Sequence, residues 1–90
     1  MSEEALRLDL WLYRARFFKT RALAAKVVAK GVRVDARRVS KPGATIRPGD
    51  TLTFSQAREV RVVRVTALPD RRGPAPEAQA CYEVIGEDDA

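Results

Sequence analysis

Phe18-Lys19-Thr20-Arg21-Ala22-Leu23-Ala24-Ala25-Lys26-Val27-Val28-Ala29-Lys30-Gly31-Val32-Arg33-Val34 is where the hydrophobic period changes from that of a helix to that of a strand. Thr20 is a good N-cap, because a threonine oxygen can accept from an orphan backbone N–H of the first turn. Leu23, Ala24, Val27 and Val28 then fall on one face, and the small alanines let that face approach a neighbour closely. Gly31 suits the left-handed residue that ends a helix. Beyond it, Val32-Arg33-Val34 alternates as a half-buried strand does.

Upstream of this switch, Leu8, Trp11, Leu12, Ala15 and Phe18 form a helical stripe. They predict a first helix over 6–18, with Phe18-Lys19-Thr20 as the turn into the second. Leu10, Tyr13 and Phe17 make a second apolar row, for burial or for contact with a partner. Downstream, Asp35-Ala36-Arg37-Arg38 reads as a turn and Val39 resumes a strand. Pro42-Gly43 and Pro48-Gly49-Asp50 are further turn signals. Thr51-Leu52-Thr53-Phe54 alternates again. Glu59 to Val65 is the longest strand, and its phase slips, so a bulge near Val62-Val63 is expected unless both faces are buried. Residues 69–76 have linker composition. Residues 77–82 allow one or two helical turns docked by Ala80 and Tyr82, and Glu87-Asp88-Asp89 reads as a solvated tail. Helices followed by short strands place the chain in the α+β class.

The chain has 90 residues, the size of one small domain. It contains no histidine and one cysteine, Cys81. That composition removes the commonest general base, every Ser-His-Asp or Cys-His arrangement, the usual zinc sites and any internal disulfide. Neither common glycine-rich phosphate loop is present. No run of apolar residues is long enough to span a membrane, and no signal peptide is legible. The expectation is a cytoplasmic binding protein and not an enzyme, with no metal, no cofactor and no membrane partner.

Charge indicates the partner. All 17 basic residues lie between Arg7 and Arg72, with only five acids in that span, giving a net +12. The first four residues carry −2 and the last eighteen −5, which hides this body inside a formal +5. A body of this charge repels itself, and a polyanion relieves the repulsion. Arg14, Arg16, Lys19, Arg21, Lys26 and Lys30 come from the predicted helices and their turn. Arg33, Arg37, Arg38, Lys41 and Arg47 come from the first strands and loops. If the turn at 17–21 and the loop at 35–41 share a side, these residues form a continuous cationic face, to which an exposed Tyr13 or Phe17 would add stacking. The bland reading is a solvated charged surface. A small helix-turn-helix regulator of DNA is an alternative, as is the guiding module of an RNA-modifying enzyme.

Several segments in order then carry a resemblance: Arg7-Leu8-Asp9-Leu10-Trp11-Leu12, Phe18-Lys19-Thr20-Arg21-Ala22-Leu23-Ala24, Lys30-Gly31-Val32-Arg33-Val34, Ser40-Lys41-Pro42 and Pro48-Gly49-Asp50. Their order and spacing resemble the S4 RNA-binding domain. Val60 to Val65, Arg71-Arg72, Pro76-Glu77-Ala78 and Tyr82-Glu83 resemble one branch of it, the small ribosome-associated heat-shock proteins and their short relatives in bacterial ribosome quality control. The resemblance implies two N-terminal helices packed on a small, mostly antiparallel twisted sheet, the alpha-L RNA-binding motif, with a short C-terminal helical turn. It divides the chain into a tail over 1–6, an RNA-binding domain over 7–68 and a C-terminal extension over 69–90. The implied partners are ribosomal RNA of a split large subunit and the transfer RNA still joined to its nascent chain. The implied contacts are Arg7, Arg16, Lys19, Thr20, Arg21 and Lys41; the charge layout adds Arg14, Lys26, Arg33, Arg37 and Arg38. Asp9 matches a motif position, either orienting a basic neighbour or stabilising a helix start through the dipole.

Three departures from the family stand out. Leu10 occupies a position where the family often has lysine. Asp35-Ala36 replaces the common Asn-Gly, and alanine disfavours positive φ, so a different hairpin turn is expected. The branch carries a basic C-terminal extension, whereas this sequence ends acidic.

Overall fold

The computed structural model describes residues 4–86; the acidic segment Glu87-Asp88-Asp89 lies outside them. Helix α1 (Leu8–Arg14) and helix α2 (Arg21–Lys30) pack on one face of a five-stranded antiparallel sheet. The sheet contains β2 (Val32–Val34), β3 (Arg37–Val39), β5 (Thr51–Gln56), β6 (Glu59–Val65) and β7 (Tyr82–Gly86), in the spatial order β3-β2-β5-β6-β7. A second, two-stranded pair joins β1 (Leu6–Arg7) to β4 (Thr45–Ile46). A short helix, α3 (Ala75–Gln79), precedes the last strand. This is the expected α+β arrangement.

The core follows the sequence periodicities. Val32 and Val34, Leu52 and Phe54, and Val63 and Val65 point toward the helices, which answer with Leu8, Trp11, Leu12, Ala24 and Val28. Trp11 is fully buried, and its indole N–H donates to the Ala67 carbonyl at 3.0 Å, so no polar atom is stranded in the apolar layer. Tyr13 and Phe17 are not free platforms. Phe17 sits among Trp11, Phe54 and Tyr82, and the Tyr13 ring lies 5.0 Å beneath the Arg72 guanidinium.

Helix α2 has the expected limits. The Thr20 hydroxyl accepts from the Leu23 N–H at 3.1 Å, and Gly31 closes the helix with φ 119°. The positive φ is what favours glycine there; a Cβ would also meet the Arg38 guanidinium, 2.6 Å from Nη2, and that flexible side chain would have to shift.

Helix α1 is shorter than the predicted 6–18. Arg16 N–H donates to the Tyr13 carbonyl, Phe17 N–H donates to the Leu12 carbonyl, and Arg16 adopts φ 68°. This is a Schellman ending with arginine where glycine is usual, so the sequence carries no stop signal. The turn therefore runs over 15–20 and not 18–20.

The β6–β7 register shifts between Val62 and Val63, the bulge expected from the phase slip. At the β2–β3 hairpin only Asp35 takes positive φ, and Ala36 is spared. The backbone cost falls instead on the two-residue β5–β6 turn, where Ala57 and Arg58 have φ 50° and 72°. Residues 69–73 form a strap across α1 and not an open break. Arg14 donates to the Pro69 carbonyl, Arg16 to the Gly73 carbonyl, and Arg72 back to the carbonyls of Tyr13 and Phe18. At the C-terminal helical turn, Ala78 and Cys81 are the buried residues while Ala80 is exposed, contrary to the expected anchor. Burial pushes the Cys81 thiol up from its ordinary value, and the Glu77 charge adds to that.

Candidate nucleic-acid interface

The candidate site is organised by a buried acid. Asp9 is 3% exposed and lies in the first turn of α1. Its carboxylate accepts from Arg7 Nε and Nη2 at 3.1 and 3.0 Å. Arg21, at the start of α2, places Nε 3.9 Å from the same carboxylate. One side chain thus ties the strand entering α1 to the helix after it. Both guanidiniums remain about half exposed, at 48% and 49%. Each presents a planar fork of donors that suits phosphate oxygens.

Backbone contacts bring the loop from the sheet to the same place. Asp9 N–H donates to the Pro42 carbonyl at 3.3 Å, and Leu8 N–H donates to the Ala44 carbonyl at 2.7 Å. The turn is closed by Ala44 N–H donating to the Lys41 carbonyl. A Cβ on Gly43 would lie 3.8 Å from the Arg7 guanidinium carbon, an ordinary contact distance, which places this turn alongside Arg7. Arg7 and Arg21 thus meet at Asp9, backbone contacts bring the turn that carries the exposed Lys41 to the same helix start, and Thr20, beside Arg21, spends its hydroxyl on the Leu23 N–H. Both meanings of Asp9 hold: it is an acid at a helix start and it orients two cations.

The other sequence candidates are distributed differently. Arg14 and Arg16 donate to strap carbonyls, as described above, and so brace the fold. Arg38 donates from Nη2 to the Lys30 carbonyl at 2.9 Å and caps the end of α2. Lys19, Lys26, Arg33 and Arg37 are exposed. Arg33 and Arg38 stand on the sheet face opposite the helices, while Arg37 pairs with the inward-facing Val34 at the sheet edge. Sequence reasoning named Asp9 from a motif alone and did not foresee the Arg72 clamp. Its acceptors lie 54 and 59 residues away in the chain, and no local pattern announces such a contact.

A family model, "S4 domain", matches residues 6–52, just over half of the chain. Heat shock protein 15 of Escherichia coli (strain K12) is 43% identical over 83 residues, spanning 91% of this chain but only 62% of that protein. The chain thus covers less than two thirds of the length of that relative. Small ribosomal subunit protein uS4 of Legionella pneumophila (strain Paris) is 37% identical over 71 residues, 76% of this chain and 34% of that one. The trimeric structure of heat shock protein 15 from Vibrio cholerae superposes with a TM-score of 0.83 at 36% identity, covering 91% of this chain and 83% of that chain. With its two helices, its antiparallel sheet and the motif segments in order, the chain belongs to the S4 domain family and, within it, to the heat shock protein 15 branch.

Proposed function

We propose that this chain is an RNA-binding accessory factor of the bacterial ribosome, gripping folded ribosomal RNA through the Arg7–Asp9–Arg21 cluster and the Lys41 turn. The observation that carries this reading is the buried Asp9 carboxylate, which presets two half-exposed arginines. Cations already held in place lose less conformational freedom when they meet phosphates. Neutralising phosphates then releases counterions, which supplies affinity with little sequence choice. Among the described residues no helix is long and apolar enough to cross a membrane.

The resemblance to the ribosome-associated branch favours the large subunit. The finer reading is a split large subunit that still carries nascent-chain transfer RNA, held for recycling or quality control in the cytoplasm. The factor holds RNA without modifying it, and needs neither metal nor cofactor. Lys19, Lys26 and Arg37 are proposed as further contacts of the folded RNA beyond the central cluster, and Arg33, on the far face of the sheet, as an RNA contact outside that grip.

Sedimentation with purified large and small subunits over a range of salt concentrations tests this. Binding to large subunits should fall steeply with salt, each neutralised phosphate contributing roughly 0.7–0.9 to the log–log slope. Arg21→Ala should weaken binding while lowering Tm only by a few degrees, since Arg21 is exposed at a helix start and its pair with Asp9 is worth roughly 0.2–1 kcal/mol. Binding that ignores ionic strength would refute RNA recognition. Association with small subunits alone would refute the large-subunit assignment.

A further inference from the structure

The sheet face turned away from the helices has no covering element among the described residues. Cross-strand register aligns one row across it: Arg38 opposite Arg33, Arg33 opposite Thr53, and Thr53 opposite Val62. Two arginines directly opposite each other on one face repel, which natural sheets ordinarily avoid. Here the pair is retained on an exposed surface. Arg33 makes no ion pair or side-chain hydrogen bond among the described residues, and Arg38 spends one donor on the Lys30 carbonyl.

A shallow depression of about 190 Å³ lies against this row, its lining including Gly31, Arg33, Arg38, Thr53, Ser55 and Val60. Its chemistry is mixed: guanidinium donors at one end, hydroxyls in the middle, and at the other end Val60, 61% exposed. Farther along this face Glu83 is met by Arg64 at 3.4 Å, and near the Arg33 end the Asp35 carboxylate accepts from the Thr51 N–H at 3.0 Å at the hairpin turn.

The geometry points to this face as a second RNA surface, which holds the sugar–phosphate backbone of an unpaired strand while the Asp9 cluster holds a folded RNA. The inference rests on the RNA-binding reading above and adds a second, separate site. Arg33 and Arg38 take the phosphates, which relieves their mutual repulsion. Thr53 and Ser55 offer hydroxyls to phosphate or ribose oxygens. Val60 and Val62 give sugars and bases an apolar floor. An extended strand suits this shallow, one-sided trough, whereas the helix-side cluster is built from three converging segments. With the two sites on opposite sides of the sheet, the domain joins two RNA segments.

The test uses the full chain with two probes, a labelled oligouridine strand and a labelled RNA hairpin, each titrated over a range of salt. Arg33→Gln should reduce the salt slope for oligouridine by about 0.7 for each phosphate it ceases to neutralise and leave the hairpin slope unchanged. Arg21→Gln should do the reverse. Thr53→Lys adds a cation to the row and should raise the oligouridine slope by about the same amount, with an unchanged melting transition and hairpin slope showing that the gain does not come from an unfolded cationic chain. The wild-type chain should also retain labelled oligouridine on immobilised hairpin, and Arg33→Gln should abolish that retention. Oligouridine binding unaltered by Arg33→Gln and Thr53→Lys overturns the second site while leaving hairpin recognition standing. Equal binding of polyglutamate at Arg33 also overturns it, since the face would then be a general anion surface. Failure to bind either RNA overturns both this inference and the function it rests on.

Discussion

Replacing Asp9 by Asn separates two roles that charge alone would confuse. The substitution preserves the volume of a side chain that is only 3% exposed and removes one negative charge from the middle of a cationic cluster. At water-like dielectric, pairs at 3.0 and 3.9 Å are worth about 1.4 and about 1.1 kcal/mol. The arginines are half exposed, so screening brings each pair toward the roughly 0.2–1 kcal/mol typical of surface pairs. Losing the two-pronged hydrogen bond from Arg7 to a charged acceptor adds to that, for a net cost of about 2 kcal/mol. In a domain of this size that lowers Tm by roughly 8–16 °C. The assay pairs thermal melting with fluorescence anisotropy on an RNA hairpin at fixed salt. If Asp9 only dampened positive charge, Asp9→Asn would bind RNA more tightly. If Asp9 fixes the forks of Arg7 and Arg21, affinity falls about tenfold, or about 1.4 kcal/mol, despite the added positive charge. Tighter binding in the variant, measured where it remains folded, would refute the positioning role.

Further substitutions probe the scaffold. Trp11→Ala should cost about 3–5 kcal/mol in urea denaturation, because it empties the centre of the core and leaves the Ala67 carbonyl without its donor; a loss under about 1 kcal/mol would contradict the burial seen here. Exchanging Ala57 and Arg58 for Asn-Gly should raise the denaturation midpoint, since left-handed backbone costs a non-glycine residue on the order of 1 kcal/mol or more. The Cys81 thiol, raised by burial and then by Glu77, gives a signed pH dependence. The unfolded chain releases that proton first, so stability should fall as pH rises above the ordinary thiol value near 9.0, and Cys81→Ala should flatten that part of the Tm profile.

Legibility from sequence was uneven, for physical reasons. Helix α2 was readable at both ends because a threonine cap and a terminal glycine are local devices. The Val62–Val63 bulge was readable because a period-2 pattern reveals its own slip. The end of α1 was not readable, since arginine fills the position glycine usually marks and its side chain is held by the Gly73 carbonyl. Strand β7 was also missed. Tyr82–Gly86 is short, and it is strand because β6 offers an edge to pair with.

The candidate site shows the same division. The identity of its cations and their concentration between Arg7 and Arg72 were plain from the residues themselves. Which arginines are available was not. Arg14, Arg16 and Arg72 donate to distant backbone carbonyls, whereas Arg7 and Arg21 share one buried carboxylate and keep half their surface in water. Local patterns of capping, alternation and composition determined the elements and the sign of the partner's charge, because those depend on near neighbours in the chain. The division between bracing and presenting cations was decided only in three dimensions. A guanidinium's role follows from the acceptor it meets, and here the acceptors of Arg14, Arg16 and Arg72 lie more than fifty residues away.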